Sequence, residues 1–184
     1  MTELNQIETP ALLLDSRRMM RNIRALESRL KTLGTVIRPH VKTCKSIEIG
    51  RRMITGGSPG ITVSTLAEAE AFFRHGIDDQ IYAVGIAPGK LARVAGLMGQ
   101  GLRLKIILDN AETAARVVDA AKRLGCRYSV LLEIDSDGQR AGFEVGDPEL
   151  VGAAQTLDQG GCEVAGVITH MGAAYACRDA GALI

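Results

Sequence analysis

The chain has 184 residues, 46% of them hydrophobic and 23% charged, which is the composition of one globular domain with a sizeable core. Its net charge of +1, the lack of a basic run, 3% aromatic residues and no tryptophan argue against nucleic acid as the main partner. The sequence has neither an apolar run of about 18 residues nor a signal-peptide core near Met1, so it predicts a cytoplasmic protein without a membrane partner.

Apolar segments with the character of buried strands recur along the chain, and helical patterns lie between them. In chain order the predicted strands are Ala11–Asp15, Thr35–Lys42, Gly60–Thr65, Gln80–Gly85, Leu102–Asp109, Arg127–Asp135 and Val164–His170. The first helical pattern is an apolar stripe with steps of three and four residues, which predicts an amphipathic helix. Its members are Met19, Ile23, Leu26, Leu30 and Leu33.

Several helix starts are marked in the sequence. Thr65–Glu68 and Asp109–Glu112 resemble capping boxes, and Pro148 follows Asp147 at a predicted first helical position. Ser64 and Thr65 are therefore interpreted as helix-capping residues, with a place in a functional site as the alternative.

The alternation of continuous apolar strands with helices predicts an α/β fold whose parallel sheet is buried on both faces. Six strands from Thr35 onward, spaced by about 20 to 35 residues, favour a (β/α)8 TIM barrel. A closed barrel needs eight strands, so we expect an incomplete barrel and a chain truncated at its C-terminus. An open doubly wound sheet is the alternative, although no GxGxxG sequence follows the first strand.

Polar residues stand at the ends of four predicted strands, in segments 38–45, 63–65, 133–142 and 169–175. In a parallel barrel all four ends meet at one mouth, where such folds place their active sites. Lys42 closes one of these strands. Lysine is the residue that forms a Schiff base with pyridoxal phosphate, and it does so best where partial burial disfavours its charged form.

Four segments together resemble the fold-type III pyridoxal-phosphate enzymes, the alanine-racemase-like barrels. Within these enzymes the sequence is most similar to the D-threonine aldolase and D-serine dehydratase branch. The matching segments are TPALLLD at Thr9–Asp15, RPHVKTCK at Arg38–Lys45, EIDSDGQRAG at Glu133–Gly142 and GVITHMG at Gly166–Gly172.

This resemblance implies Lys42 as the Schiff-base lysine, with Lys45 as the competing residue. It implies that His40 lines the same mouth as a second catalytic residue. Arg140 would point at the phenolic oxygen of the cofactor, and His170 would lie beside the pyridine ring.

Tyr175 matches a tyrosine near the cofactor in this branch. The family's main phosphate cradle would lie downstream of residue 184. So would its zinc or manganese site, which is built from a C-terminal histidine and a cysteine or aspartate, so we expect no metal ligands in this chain. Residues 1–16 would contribute the first strand of a second β domain that is otherwise missing, and residues 17–184 would form the partial barrel. Full-length relatives would be homodimers.

The implied activity is a pyridoxal-phosphate-dependent lyase for small D-amino acids, of the D-serine or D-threonine dehydratase type or the D-threonine aldolase type, with this chain as an incomplete form. Three alternatives stay open: a non-catalytic barrel that binds pyridoxal phosphate, an amino-acid racemase, and an inactive remnant. For the 184-residue product we expect weak cofactor binding and negligible lyase activity.

Overall fold

The computed structural model describes residues 4–54, 58–179 and 181. In this part of the chain six strands alternate with α-helices. The strands are β1 Ile61–Val63, β2 Asp79–Gly85, β3 Arg103–Leu108, β4 Ser129–Asp135, β5 Phe143–Glu144 and β6 Glu163–Thr169. The helices are α1 Ser16–Thr32, α2 Ile47–Met53, α3 Leu66–Phe73, α4 Leu91–Gly99, α5 Ala111–Leu124 and α6 Pro148–Gln159. No helix of the described residues is long and apolar enough to cross a membrane.

The strands form one sheet in which every pairing is parallel. β1, β2, β3 and β4 are neighbours in chain order, and β6 pairs with β4 along Ser129–Ile134. The short β5 pairs with Ile134 and Asp135, beyond the last pairing of β4 with β3. Parallel pairing of successive strands with helices between them confirms the predicted incomplete α/β barrel.

Two predicted strands differ from the prediction. The segment Thr35–Lys42 forms only a single parallel bridge, from His40 to Thr62, before a turn begins. Two backbone hydrogen bonds hold this bridge in place, from Val41 N–H to Thr62 O and from Thr62 N–H to Pro39 O. The segment thus occupies the position of the first barrel strand, beside β1. The pairing is short because proline has no N–H to donate.

The predicted strand Ala11–Asp15 is not a strand in the structure, and its three leucines are exposed. A strand needs a neighbour to pair its backbone groups. None of the described residues pairs with this segment. The assignment of residues 1–16 to a second domain remains a prediction.

Most of the hydrophobic core lies between the sheet and the helices. The predicted burial of the other face holds only in part, because Ile107 and Leu131 are buried there but Thr62, Ala83 and Glu133 are only partly buried. Alternate strand residues are buried beneath the helices: Ile61, Val63, Tyr82, Leu104, Ile106, Leu108, Val130 and Leu132. The other face of the sheet, which would be the inside of a closed barrel, lines an open cavity.

Helix caps place the residues around this cavity. Thr65 Oγ1 accepts a hydrogen bond from Glu68 N–H at 3.0 Å and so caps α3 as predicted. α5 is capped by Asn110, one residue later than the predicted Asp109, and α6 starts at Asp147-Pro148 as predicted. Because these caps fix where each strand turns into a helix, they also fix where the strand ends open into the cavity.

Candidate active site

A cavity of about 420 Å³ opens at the carboxyl ends of the strands. All five side chains predicted for the site line it: Lys42, His40, Arg140, His170 and Tyr175. Its inner wall comes from strand residues that point away from the helices, including Thr62, Ala83, Ile107 and Ile168. Three of the four predicted segments, 38–45, 133–142 and 169–175, therefore contribute side chains to one cavity, whereas none of residues 63–65 lines it.

The structure separates the two lysines that compete for the role of nucleophile. Lys42 lines the cavity, whereas Lys45 does not. The ammonium of Lys45 lies 3.3 Å from Glu68 Oε1, and the side chain of Glu68 is only 10% exposed. Lys45 adopts a positive φ of 43°, in a turn whose N–H donates to Val41 O. Lys42 is thus the amine that is available to a molecule in the cavity.

Lys42 is more exposed than the sequence led us to expect. The expectation was a partly desolvated amine. In the structure, none of the described elements covers the mouth of the cavity where Lys42 lies, so water reaches its side chain. A ligand that fills the cavity would supply the missing desolvation.

His40 is held by contacts at both ring nitrogens. The backbone N–H of Lys42 donates to Nδ1 at 3.3 Å, so the proton of the neutral ring lies on Nε2. Nε2 lies 3.2 Å from Ser64 Oγ and can donate to it. Burial and the positive charge of Lys42 lower the pKa of His40 below its usual 6.5. His40 is therefore a neutral imidazole at neutral pH, fixed in one tautomer beside Lys42.

This lowered pKa predicts a pH dependence of stability. A histidine whose pKa is lower in the folded state binds its proton more readily in the unfolded chain. Its contribution is fully present above about pH 6.5 and is lost as the pH falls toward the lower folded-state pKa. Between pH ~7.5 and ~5 we therefore expect the free energy of unfolding, measured with urea, to fall more in the wild type than in His40→Asn. Parallel pH profiles of the two proteins would contradict the assignment.

Ser64 and Glu68 do not line the cavity, but Ser64 contacts the cavity residue His40, and Glu68 contacts Ser64. From the sequence, Ser64 was interpreted mainly as a capping residue. Glu68 Oε2 accepts a hydrogen bond from Ser64 N–H at 2.8 Å. The Thr65–Glu68 capping box pointed to this contact, but the carboxylate reaches Ser64 and not the capping residue Thr65. Glu68 therefore links the β1–α3 turn to the lysine loop through Lys45.

Glu133 is a further cavity residue that sequence reasoning did not select. Burial raises the pKa of its carboxyl group, the nearby Asp109 and Asp135 raise it further, and the positive charge of Arg140 opposes them. The signal in the sequence was a carboxylate in the run Val130–Ile134, at a position that alternation places opposite the helix-facing Val130 and Leu132.

The loop that carries Arg140 is tied to the loop that carries His170 and Tyr175. Asp137 Oδ2 accepts a hydrogen bond from Ala173 N–H at 2.7 Å, which lowers the pKa of the Asp137 carboxyl group. The hydroxyls of Ser136 and Thr169 lie 2.8 Å apart. A Cβ at Gly172 would stand 3.7 Å from the aliphatic stem of Arg140, so the two loops lie side by side. These contacts set the position of Arg140 relative to the end of β6.

Removing the Asp137 carboxylate should loosen the loop that carries His170 and Tyr175. In Asp137→Ala we expect the amide of Ala173 to exchange with deuterium about tenfold faster, because its acceptor is gone. The amide of Val41, bonded to Thr62 O, serves as the reference, and Asp158→Ala on α6 is a control with the same charge change. Equal exchange at Ala173 in the wild type and in Asp137→Ala would show that the two loops are held together by other contacts.

His170 and Tyr175 form a small aromatic wall of the cavity. Their ring centroids are 5.9 Å apart and the rings are tilted by 54°. Tyr175 is 77% exposed and stands at the rim, in the short 3-10 helix Ala173–Ala176. Among the described residues no group of three or more His, Cys, Asp or Glu side chains is arranged to hold a metal ion.

The comparisons with known proteins agree with this geometry. The family model of the alanine racemase N-terminal domain matches residues 14–182. The chain is 41% identical over 170 residues to the D-threo-3-hydroxyaspartate dehydratase of Delftia sp. (strain HT23), covering 92% of this chain and 45% of that protein. It is 31% identical over 170 residues to the D-threonine aldolase of Arthrobacter sp., with the same coverage of 92% and 45%.

A solved structure of a D-threo-3-hydroxyaspartate dehydratase variant in the metal-free form superposes with a TM-score of 0.96 at 39% identity. It covers 100% of this chain and 48% of that chain. The chain thus spans about half the length of the curated relatives it matches. The resemblance to the fold-type III pyridoxal-phosphate enzymes is confirmed: this chain belongs to the family of the alanine racemase N-terminal domain.

Proposed function

We propose that this chain provides the pyridoxal-phosphate-binding barrel of a lyase that acts on small D-amino acids with a β-hydroxyl group. The observation that carries the proposal is the free amine of Lys42 in one cavity with Arg140, His170 and Tyr175. The relatives named above, a dehydratase and an aldolase, support the same class of reaction and differ in which bond is broken.

The residues of the cavity fit this cofactor. The volume of about 420 Å³ lies in the usual range for small-molecule sites. Ala83, Ile107 and Ile168 offer an apolar wall, and Arg140 is the cation on the β4 side. Pyridoxal phosphate, when bound, supplies the electron sink that lets a bond at the substrate Cα break.

Each side chain then has a definite task. Lys42 Nζ would be the amine that holds pyridoxal phosphate covalently through its aldehyde group. Arg140 places a fixed positive charge where a phenolate needs stabilisation. The rings of His170 and Tyr175 restrict the tilt of a planar ligand.

His40 holds the backbone segment that carries Lys42. The neutral ring accepts the Lys42 N–H and adds no charge beside the amine, so it does not repel the protonated lysine. Its Nε2 proton is directed to Ser64 Oγ, away from the amine. His40 thereby orients the lysine segment and can take up a proton only as the pH falls.

The choice between dehydration and carbon–carbon cleavage depends on which bond is aligned and on where a metal or base stands. The test is to load the protein with pyridoxal phosphate and to add D-threo-3-hydroxyaspartate, D-serine or D-threonine, with zinc or manganese present. Dehydration releases ammonium and a 2-oxo acid, whereas cleavage releases glycine and an aldehyde, so product analysis separates the two. The L-amino acids are the matched controls.

Because the chain spans about half the length of its relatives, we expect the 184-residue protein to turn over far more slowly than an ordinary enzyme. Any turnover should be confined to the D-amino acids, as dehydration or cleavage. Formation of the mirror-image amino acid would instead indicate a racemase. Cofactor binding without any turnover would favour a non-catalytic binding barrel. A protein that binds no cofactor would refute the proposal altogether.

A further inference from the structure

A groove between α1 and α2 is lined by four arginines and shares no residue with the active-site cavity. Its volume is about 340 Å³, and its lining residues are Ser16, Arg17, Met20, Arg21, Arg24 and Arg52. Three of the arginines come from one face of α1 at positions i, i+4 and i+7, and the fourth comes from the last turn of α2. The groove is therefore a concentration of positive charge built from two helices.

The arginines of α1 that line this groove lack the partners that other exposed arginines have. Arg93 pairs with Glu70 at 2.6 Å, and Arg103 with Asp78 at 3.2 Å. Among the described residues, Arg17, Arg21 and Arg24 have no carboxylate within ion-pair distance.

Glu27 stands three residues after Arg24 on α1 but forms no ion pair with it, and two other nearby carboxylates are engaged elsewhere. Asp15 accepts the N–H of Arg18 as the helix cap, and Glu48 pairs with Arg52. The groove thus holds excess positive charge that the described part of the protein does not neutralise.

The cluster of arginines destabilises α1. Arg17 and Arg21 are like charges at i and i+4, which destabilise a helix. Arg17 also lies in the first turn, where the helix dipole disfavours cations, and no acidic residue is present in that turn. An anion in the groove would relieve both effects, because it would meet the arginines and the positive end of the dipole together.

We infer that this groove binds a small, elongated polyphosphate-type anion, such as a di- or triphosphate group. The three arginines of α1 span seven residues, or about 10 Å along the helix. A chain of two or three phosphates matches this length and lets each arginine contact a different phosphate, whereas a single phosphate would require all three like-charged side chains to converge on one point. Guanidinium groups suit such a ligand because each can donate two parallel hydrogen bonds to phosphate oxygens.

The test is calorimetric titration of the 184-residue protein with inorganic triphosphate, and with orthophosphate as the short anion. The groove variant is R17A/R21A/R24A. The matched control R18A/R29A/K31A removes the same charge from the same helix outside the groove. Alanine favours helix and removes repulsion, so we expect both variants to fold, with unchanged far-ultraviolet circular dichroism and a thermal midpoint for the groove variant no lower than wild type.

We expect saturable binding of triphosphate to the wild type, weakened about tenfold or more in the groove variant and less than about threefold in the control. Orthophosphate should bind the wild type more weakly than triphosphate. Equal weakening of triphosphate binding in both variants would mean that net charge alone accounts for the binding, and it would overturn the inference. So would a wild type that binds no triphosphate, or one that binds the two anions equally well.

Discussion

Replacing Lys42 by alanine abolishes covalent attachment of pyridoxal phosphate, whereas replacing Lys45 by alanine leaves attachment intact. The reason is geometric: Lys42 lines the cavity, and Lys45 is turned toward the buried carboxylate of Glu68. The measurement is a titration with pyridoxal phosphate followed by visible absorbance. The absorbance change should be lost in Lys42→Ala and kept in Lys45→Ala.

The two variants remove the same charge from neighbouring turn positions, so each controls for the other. A loss in both variants would mean that the turn, and not the Lys42 amine, is required. A loss confined to Lys45→Ala would exchange the roles of the two lysines.

Replacing Gly142 by alanine should disrupt both stability and the position of Arg140. A Cβ on Gly142 would lie 2.2 Å from Asp135 N and 2.5 Å from Ile134 C, at a positive φ of 143°. The clash is with backbone, so β5 would have to leave β4. Backbone strain and overpacking together should lower the free energy of unfolding by about 2–5 kcal/mol.

Gly138→Ala is the matched control in the same loop. Gly138 also has a positive φ, of 67°, but nothing lies within 4 Å of a Cβ built there. We expect a loss of about 1 kcal/mol from the left-handed conformation alone. Cofactor affinity should fall in Gly142→Ala and stay near wild type in Gly138→Ala. Equal losses of stability from urea unfolding would show that the close approach at Gly142 is not what matters.

Much of the fold could be predicted because local patterns and tertiary pairing agree. The stripe on α1, the cap at Asp147 and the strand Leu102–Asp109 all follow from periodicity and capping chemistry that need no long-range information. β5 could not be predicted, because two residues have no period and its pairing depends on a glycine that allows close approach. The segment Ala11–Asp15 has a strand's composition but no partner here, which composition alone does not reveal.

The candidate site could be predicted for the residues that close strands, since parallel strand ends must converge. Lys42 was singled out in this way, whereas Arg140 and His170 lie in segments that follow strand ends and were selected by the resemblance to a known family. Ser64 and Glu68 were harder, because the same residue types cap helices and their contacts to the lysine loop arise only in the folded chain. The exposure of Lys42 also needed the structure, because it depends on what covers the cavity mouth.

The most direct test of the central claim is to find where the protein attaches pyridoxal phosphate. The wild type is incubated with the cofactor, reduced with borohydride and digested, and the peptide that carries the pyridoxyl group is sequenced by mass spectrometry. We expect a single modified residue, Lys42. Modification of Lys45 instead of Lys42, or no modification at all, would contradict it.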